Sequence, residues 1–202
     1  MNAEHPPAPP RLRALEHVAA LSSGAPLDAG LRVTLNFHPD RTVAGRPILE
    51  RLGEDGRYVS QFVTGTSNGG LTARPGGDRW RWESRIFGGA YDRAGPAERP
   101  VYGALDVRRA AFGAAPRFGS AHFRLTADAL GSATFCYPDS AAEPEHFGVA
   151  ARMSGLAVGG YLDARIIGDA ARAGGHAEQD LKKVWHLLAR FGRTAAGLPA
   201  GG

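Results

Sequence analysis

What most narrows the fold of this chain is an order. Helical repeats stand at its two ends, and short apolar segments bounded by glycine and proline lie between them. RLRALEHVAALSSG (11–24) brings Leu12, Leu15, Val18 and Ala19 round at helical spacing and stops at Ser22-Ser23-Gly24. AEQDLKKVWHLLARFG (177–192) sets Leu181, Val184, Trp185, Leu188 and Phe191 on one face. Between them LRVTLNFH (31–38), RYVSQFVTG (57–65), RPVYGALDV (99–107), GSAHFRLT (119–126), GSATFCYP (131–138) and GYLDARIIG (160–168) read as strands. GSATFCYP is expected to fold back on 119–126 as a hairpin through ADALG. GRPILERLGEDG (45–56) reads as a short helix with a proline in its first turn and a glycine to close it. Aromatic residues 80, 82, 87 and 91 fall near helical spacing, a pattern broken by Gly88-Gly89.

With Gly 28 and Pro 14 the connections must be many and tight, which favours an α+β fold over a helix bundle. Strand and helix do not alternate regularly, so a doubly wound nucleotide fold is not expected. The 202 residues suit one domain with a real core, placed at 11–192. The proline-rich residues 1–10 are expected to be disordered and 193–202 to be a flexible tail.

Several function classes fall away. No apolar run approaches the ~18 residues of a membrane span. MNAEHPPAPPRLR has no apolar segment of the kind a standard secretory signal carries, and export by specialised bacterial systems stays open. The lone Cys136 excludes an internal disulfide and a multi-cysteine zinc site, and its place in ATFCYP suits a small buried hydrophobe. The net charge of +4 is mild, without a basic run interleaved with aromatics, so nucleic acid is not an expected partner. GxSxG, HxH and a Walker A lysine are all missing, so neither a serine hydrolase nor a P-loop is indicated, and no metal is expected.

Four places gather polar residues at the ends of apolar segments. In NFHPDR, His38 and Arg41 straddle a proline turn and could hold a sugar hydroxyl and a phosphate; alternatively Asp40 caps the turn and Arg41 is solvated. In VTGTSNGGL, Thr66, Ser67, Asn68 and Gly69 offer small donors and bare backbone to a ligand, or form an Asn-Gly turn. In PRFGSAHF, Arg117, Phe118 and Ser120 begin a strand whose His122 lies on the face of Ser120, where the aromatic could support a flat ring; alternatively Phe118 lies in the core and Arg117 in solvent. In YLDARIIG, Asp163 faces away from Leu162 and Ala164, into a cleft or into solvent beside Arg165.

The order NFHPDR, TGTSNGGLT, FGGAYD, RPVYGAL and PRFGSAHFRL resembles a formerly uncharacterised bacterial domain family that includes ubiquitin-threonine ADP-ribosyltransferase effectors. The resemblance spans about residues 12–192. It implies a split β-sandwich with flanking helices, NAD as co-substrate, and mono-ADP-ribosylation of a protein hydroxyl, with ubiquitin as acceptor. His38 and Arg41 correspond to the element that meets the ribose and pyrophosphate, with Thr66, Ser67, Asn68 and Gly69 supplying further donors. Arg117, Phe118 and Ser120 fall in the segment beside the nicotinamide, His122 stands where a tyrosine is expected, and Asp163 stands where the family carries a glutamate. Glu145 or Glu83 could take the acid's role instead; Glu83, in a helical segment, reads better as an ion-pair partner. A monomer made in a bacterial cytoplasm is expected, with delivery into a host cell left open. A non-catalytic NAD- or ubiquitin-binding module and an NAD glycohydrolase are the alternative readings.

Overall fold

A computed structural model describes residues 7–65, 72–137 and 143–153. Among these, no helix is long and apolar enough to cross a membrane. The structure mixes helices with three small antiparallel sheets, an α+β arrangement.

Helix α1 (Pro10–Leu21) starts on a proline, whose missing N–H costs nothing in a first turn. Ala14 and Val18, one turn apart, are its buried residues. They pack with Ile86, Phe87, Ala90, Tyr91 and Val149 in one core cluster. Burial of a side chain such as Val18 is worth roughly 1.5–3 kcal/mol. Arg13 ties the helix down by donating to the carbonyl of Ala90 at 2.7 Å.

Strand β1 (Val33–Phe37) is buried at every position. The short β2 (Thr42–Val43) and β3 (Arg46–Pro47) form a ribbon beyond the turn that follows it. Helix α2 (Ile48–Asp55) then begins one residue after Pro47 and closes on Gly56 at φ 60°, much as the sequence suggests. Its Glu50, Glu54 and Asp55 pair with Arg46 and Arg51 on an exposed face, where such pairs contribute little.

Residues 57–65 do not form the expected strand. They hold helix α3 (Gln61–Thr64), a single turn closed by Gly65 at φ 66°. Tertiary contacts override the local β propensity here. The Ser60 hydroxyl donates to the Pro96 carbonyl at 2.7 Å, and the Phe62 ring lies 4.2 Å beneath the Arg99 guanidinium. Helix α4 (Asp78–Ile86) carries the aromatic segment and ends before Gly88-Gly89.

Of the expected strand at 99–107 only β4 (Ala104–Leu105) is paired. Gly103 lies so close to β1 that an added Cβ would sit 2.7 Å from both Leu35 Cδ2 and the Thr34 carbonyl. Strand β5 (Ala121–Arg124) completes the first sheet, in the order β4-β1-β5. The expected hairpin between 119–126 and 131–138 does not form. A 3-10 segment, Ala127–Ser132, buries Leu130 against Val33 and Leu35 and carries the chain out of the first sheet. Strand β6 (Thr134–Tyr137) pairs instead with β7 (His146–Val149), and β8 (Arg152–Met153) extends that sheet. Cys136 is a strand residue opposite Phe147, as its setting suggests, but it is half-buried rather than buried. Leu105 from the first sheet and Phe135 from β6 pack on the same core cluster, so the two sheets share an apolar layer. The segments 160–168 and 177–192 lie outside the described residues.

Candidate functional site

The period of β1 gives its two faces different work. Val33 and Leu35 point into the shared apolar layer, and Phe37 stacks on Phe123 at 5.2 Å. Thr34 and Asn36 point the other way, directly opposite Arg124 and His122 of β5. Both are buried, so their polar atoms need partners. The connection from β4 to β5 supplies them. Asn36 Nδ2 donates to the carbonyls of Phe112 (3.0 Å) and Gly119 (3.1 Å), while its Oδ1 accepts from the Ala115 amide at 3.3 Å. Thr34 Oγ1 accepts the Ala114 amide at 2.9 Å. Two side chains thus pin a loop that has little regular structure of its own.

That pinning brings two of the four polar segments together. Pro116–Phe118 forms one 3-10 turn, and Gly119 follows at φ 136°. The Gly119 α-carbon rests on the Phe37–His38 peptide, where no Cβ would fit. His38 and Ser120, both half-buried, therefore flank the same strand end. Pro39 is buried and Arg41 exposed; the turn between is closed by the Arg41 amide donating to the His38 carbonyl at 3.2 Å. The Arg117 guanidinium covers the Phe118 ring at 4.6 Å.

His122 sits on the pinned face, with its ring against Gly113. Burial pushes its pKa down, the nearby Arg124 adds to that, and Asp106 opposes it. Asp106 is itself buried; it accepts from the Ala110 amide at 2.9 Å and faces Arg124 Nη2 at 2.9 Å. His122 thus stands next to structural hydrogen bonds as well as at the strand ends.

Glu145 is exposed at the entrance to β7, on the other sheet from His122. Asp163 and Thr66, Ser67, Asn68 and Gly69 lie outside the described residues. Among the described residues no three His, Cys, Asp or Glu side chains gather as they would around a metal ion.

Glu83 is the ion-pair partner its helical setting suggests. Its carboxylate is fully buried and accepts from Arg99 Nη1 at 2.6 Å and from the Tyr102 hydroxyl at 3.2 Å. Burial pushes the Glu83 carboxyl up, and those two donors pull it back. Arg99 also donates to the Tyr91 carbonyl at 2.9 Å, and the Arg79 guanidinium lies 4.3 Å over the Tyr102 ring. Sequence reasoning missed Arg79, Arg99 and Tyr102. The signal available was Arg79 and Glu83 one helical turn apart among tryptophans, hidden in a chain rich in arginine.

No curated protein and no solved structure matches the chain. A family model described as a protein of unknown function, DUF3626, matches residues 32–158, which runs from β1 through the second sheet. The match covers well over half of the sequence, and the chain belongs to the DUF3626 family.

Proposed function

We propose that this chain is a mono-ADP-ribosyltransferase of the split β-sandwich type, which moves ADP-ribose from NAD to a protein hydroxyl, a threonine of ubiquitin. The observation that supports it best is the convergence at the end of β1. His38 and the Pro116–His122 segment are far apart in sequence yet meet there, through Gly119 on the Phe37–His38 peptide. The resemblance assigns both segments to the dinucleotide.

In this reading the chemistry follows from the residue types. Cleavage of the nicotinamide–ribose bond builds an oxocarbenium-like cation. A carboxylate against the ribose 2-hydroxyl, the role given to Asp163, stabilises that charge as it develops. Arg41 or Arg117 offers a planar set of donors to the diphosphate, and Phe118 offers a ring face to nicotinamide. The acceptor hydroxyl is a weak nucleophile, so the rate depends on how far the sugar cation has formed. Asp163 in place of glutamate shortens the acid by one methylene, and misplacement by about 1 Å can cost roughly 100-fold.

The test is incubation with NAD labelled in its adenosine half and ubiquitin as acceptor. Label should appear on ubiquitin, and Asp163→Ala should lose most of it. Nicotinamide release without labelled protein would instead indicate a glycohydrolase, and NAD binding without turnover a non-catalytic module.

A further inference from the structure

We propose that the outer edge of β5 is a docking edge for residues 160–168 of this chain, which join the first sheet as a strand beside Ala121–Arg124. The state of that edge carries the inference. The Leu125 amide donates to the Val33 carbonyl at 2.9 Å, so at period two the amides of Ala121 and Phe123 also face β1. Those of His122 and Arg124 face the other way, where no strand is paired among the described residues. Free donors and acceptors along a strand edge are a template for a further strand. The side chains agree. Phe123 stacks on Phe37 and meets the Tyr58 ring edge-on at 6.3 Å, yet it is 42% exposed. Of the large apolar side chains left exposed among the described residues, it is the one that belongs to a strand.

The chain itself supplies one fitting occupant. Of the segments outside the described residues, MNAEHP, TSNGGL and PDSAA have no alternation of apolar residues, and AEQDLKKVWHLLARFG has helical spacing. GYLDARIIG alternates, with Leu162, Ala164 and Ile166 on one face and Tyr161, Asp163 and Arg165 on the other. Set beside β5, its apolar face continues the face of Phe123 and covers that ring. Its other face joins His122 and Arg124 and brings the Asp163 carboxylate to a half-buried histidine and an exposed arginine. Opposite charges on neighbouring strands attract. A slip of one residue would lay Asp163 over Phe123 and turn Leu162 to the polar face, so the register is selected. The chain can reach. It leaves the second sheet at Met153, and residues 154–159 can span roughly 20 Å, more than the ~10 Å between sheets that share a core. Asp163 then stands on the face of His122 whether or not it acts on NAD.

Nuclear magnetic resonance on the full, isotopically labelled chain tests this. Cross-strand contacts between the backbones of 160–168 and 121–124 are expected, with the His122 and Arg124 amides protected from exchange alongside Leu125. Leu162→Asp, which puts a charge on the apolar face, should speed exchange at His122 and Arg124 by about tenfold or more. Leu125, held by β1, should stay slow and shows that the variant is folded. Amides of His122 and Arg124 that exchange freely in the wild-type chain would overturn the proposal. So would contacts from that edge to another segment, or protection that folded Leu162→Asp leaves unchanged. Protection that appears only at high protein concentration would assign the edge to a second copy and overturn it too. No reading here uses NAD, so failure of the transferase reading leaves the docking intact, and labelled ubiquitin without these contacts would sink the docking alone.

Discussion

The side-chain amide of Asn36 donates to the carbonyl of Gly119 at 3.1 Å, across 83 positions of sequence. This bond, with the Asn36 contacts to Phe112 and Ala115, fixes where Pro116–Phe118 stands beside the end of β1. Asn36→Ala leaves two carbonyls and an amide short of a partner. Each orphaned buried group costs roughly 1–3 kcal/mol. Urea unfolding should show a loss in that range or larger, with faster amide exchange at Ala114 and Ala115. An unchanged midpoint would mean that the loop is held by something else.

Gly119 is the tighter constraint. At φ 136°, with its α-carbon on the Phe37–His38 peptide, it has neither the backbone freedom nor the room for a side chain. Gly119→Ala should shift β1 or the loop and cost more than the ~1 kcal/mol usual for a glycine change alone. Ala111→Ser, at an exposed position of the same loop, should stay within about 0.5 kcal/mol of the parent. Equal melting temperatures for the two variants would contradict the packing described.

The Glu83–Arg99 pair offers a sharper energetic test, because both side chains are out of solvent. Glu83→Ala strands a buried guanidinium and should destabilise by about 3–5 kcal/mol. Replacing both partners with apolar residues should recover much of that loss. A double-mutant cycle measures the coupling, and additive losses would argue against a direct pair.

His122 sets a pH dependence. Its native pKa lies below the ordinary 6.5, mainly through burial. The unfolded chain therefore binds the proton more readily than the folded one. The contribution is fully present above about pH 6.5 and is lost as pH falls from there through the lowered native value. His122→Gln should flatten stability against pH in that window. A wild-type chain that gains stability on acidification from pH 7 to 6 would show the opposite sign.

Much of the fold was legible where the signal is local. The α1 period, the alternation of β1 and the glycine stop of α2 all appear as read. What was not legible depends on distant partners. RYVSQFVTG carries strand-forming residues, yet Ser60 and Phe62 are claimed by Pro96 and Arg99 and the segment turns helical. The partner of β6 is β7, because Leu130 is drawn into the core and redirects the chain. Of the candidate site, residue types pointed to His38, Ser120 and His122, but nothing local says that Asn36 draws them together. Arg79 and Arg99 were invisible as a buried pair, since burial of an arginine has no period of its own.

The transferase reading needs one dinucleotide where the His38 turn meets the segment from Pro116 to His122. A crystal structure of the chain with NAD measures that directly. Density for the dinucleotide is expected between these segments, with Arg41 or Arg117 on its phosphates and a carboxylate at the nicotinamide ribose. NAD seated away from both segments, or a fully formed crystal that takes up none at saturating concentration, would contradict it.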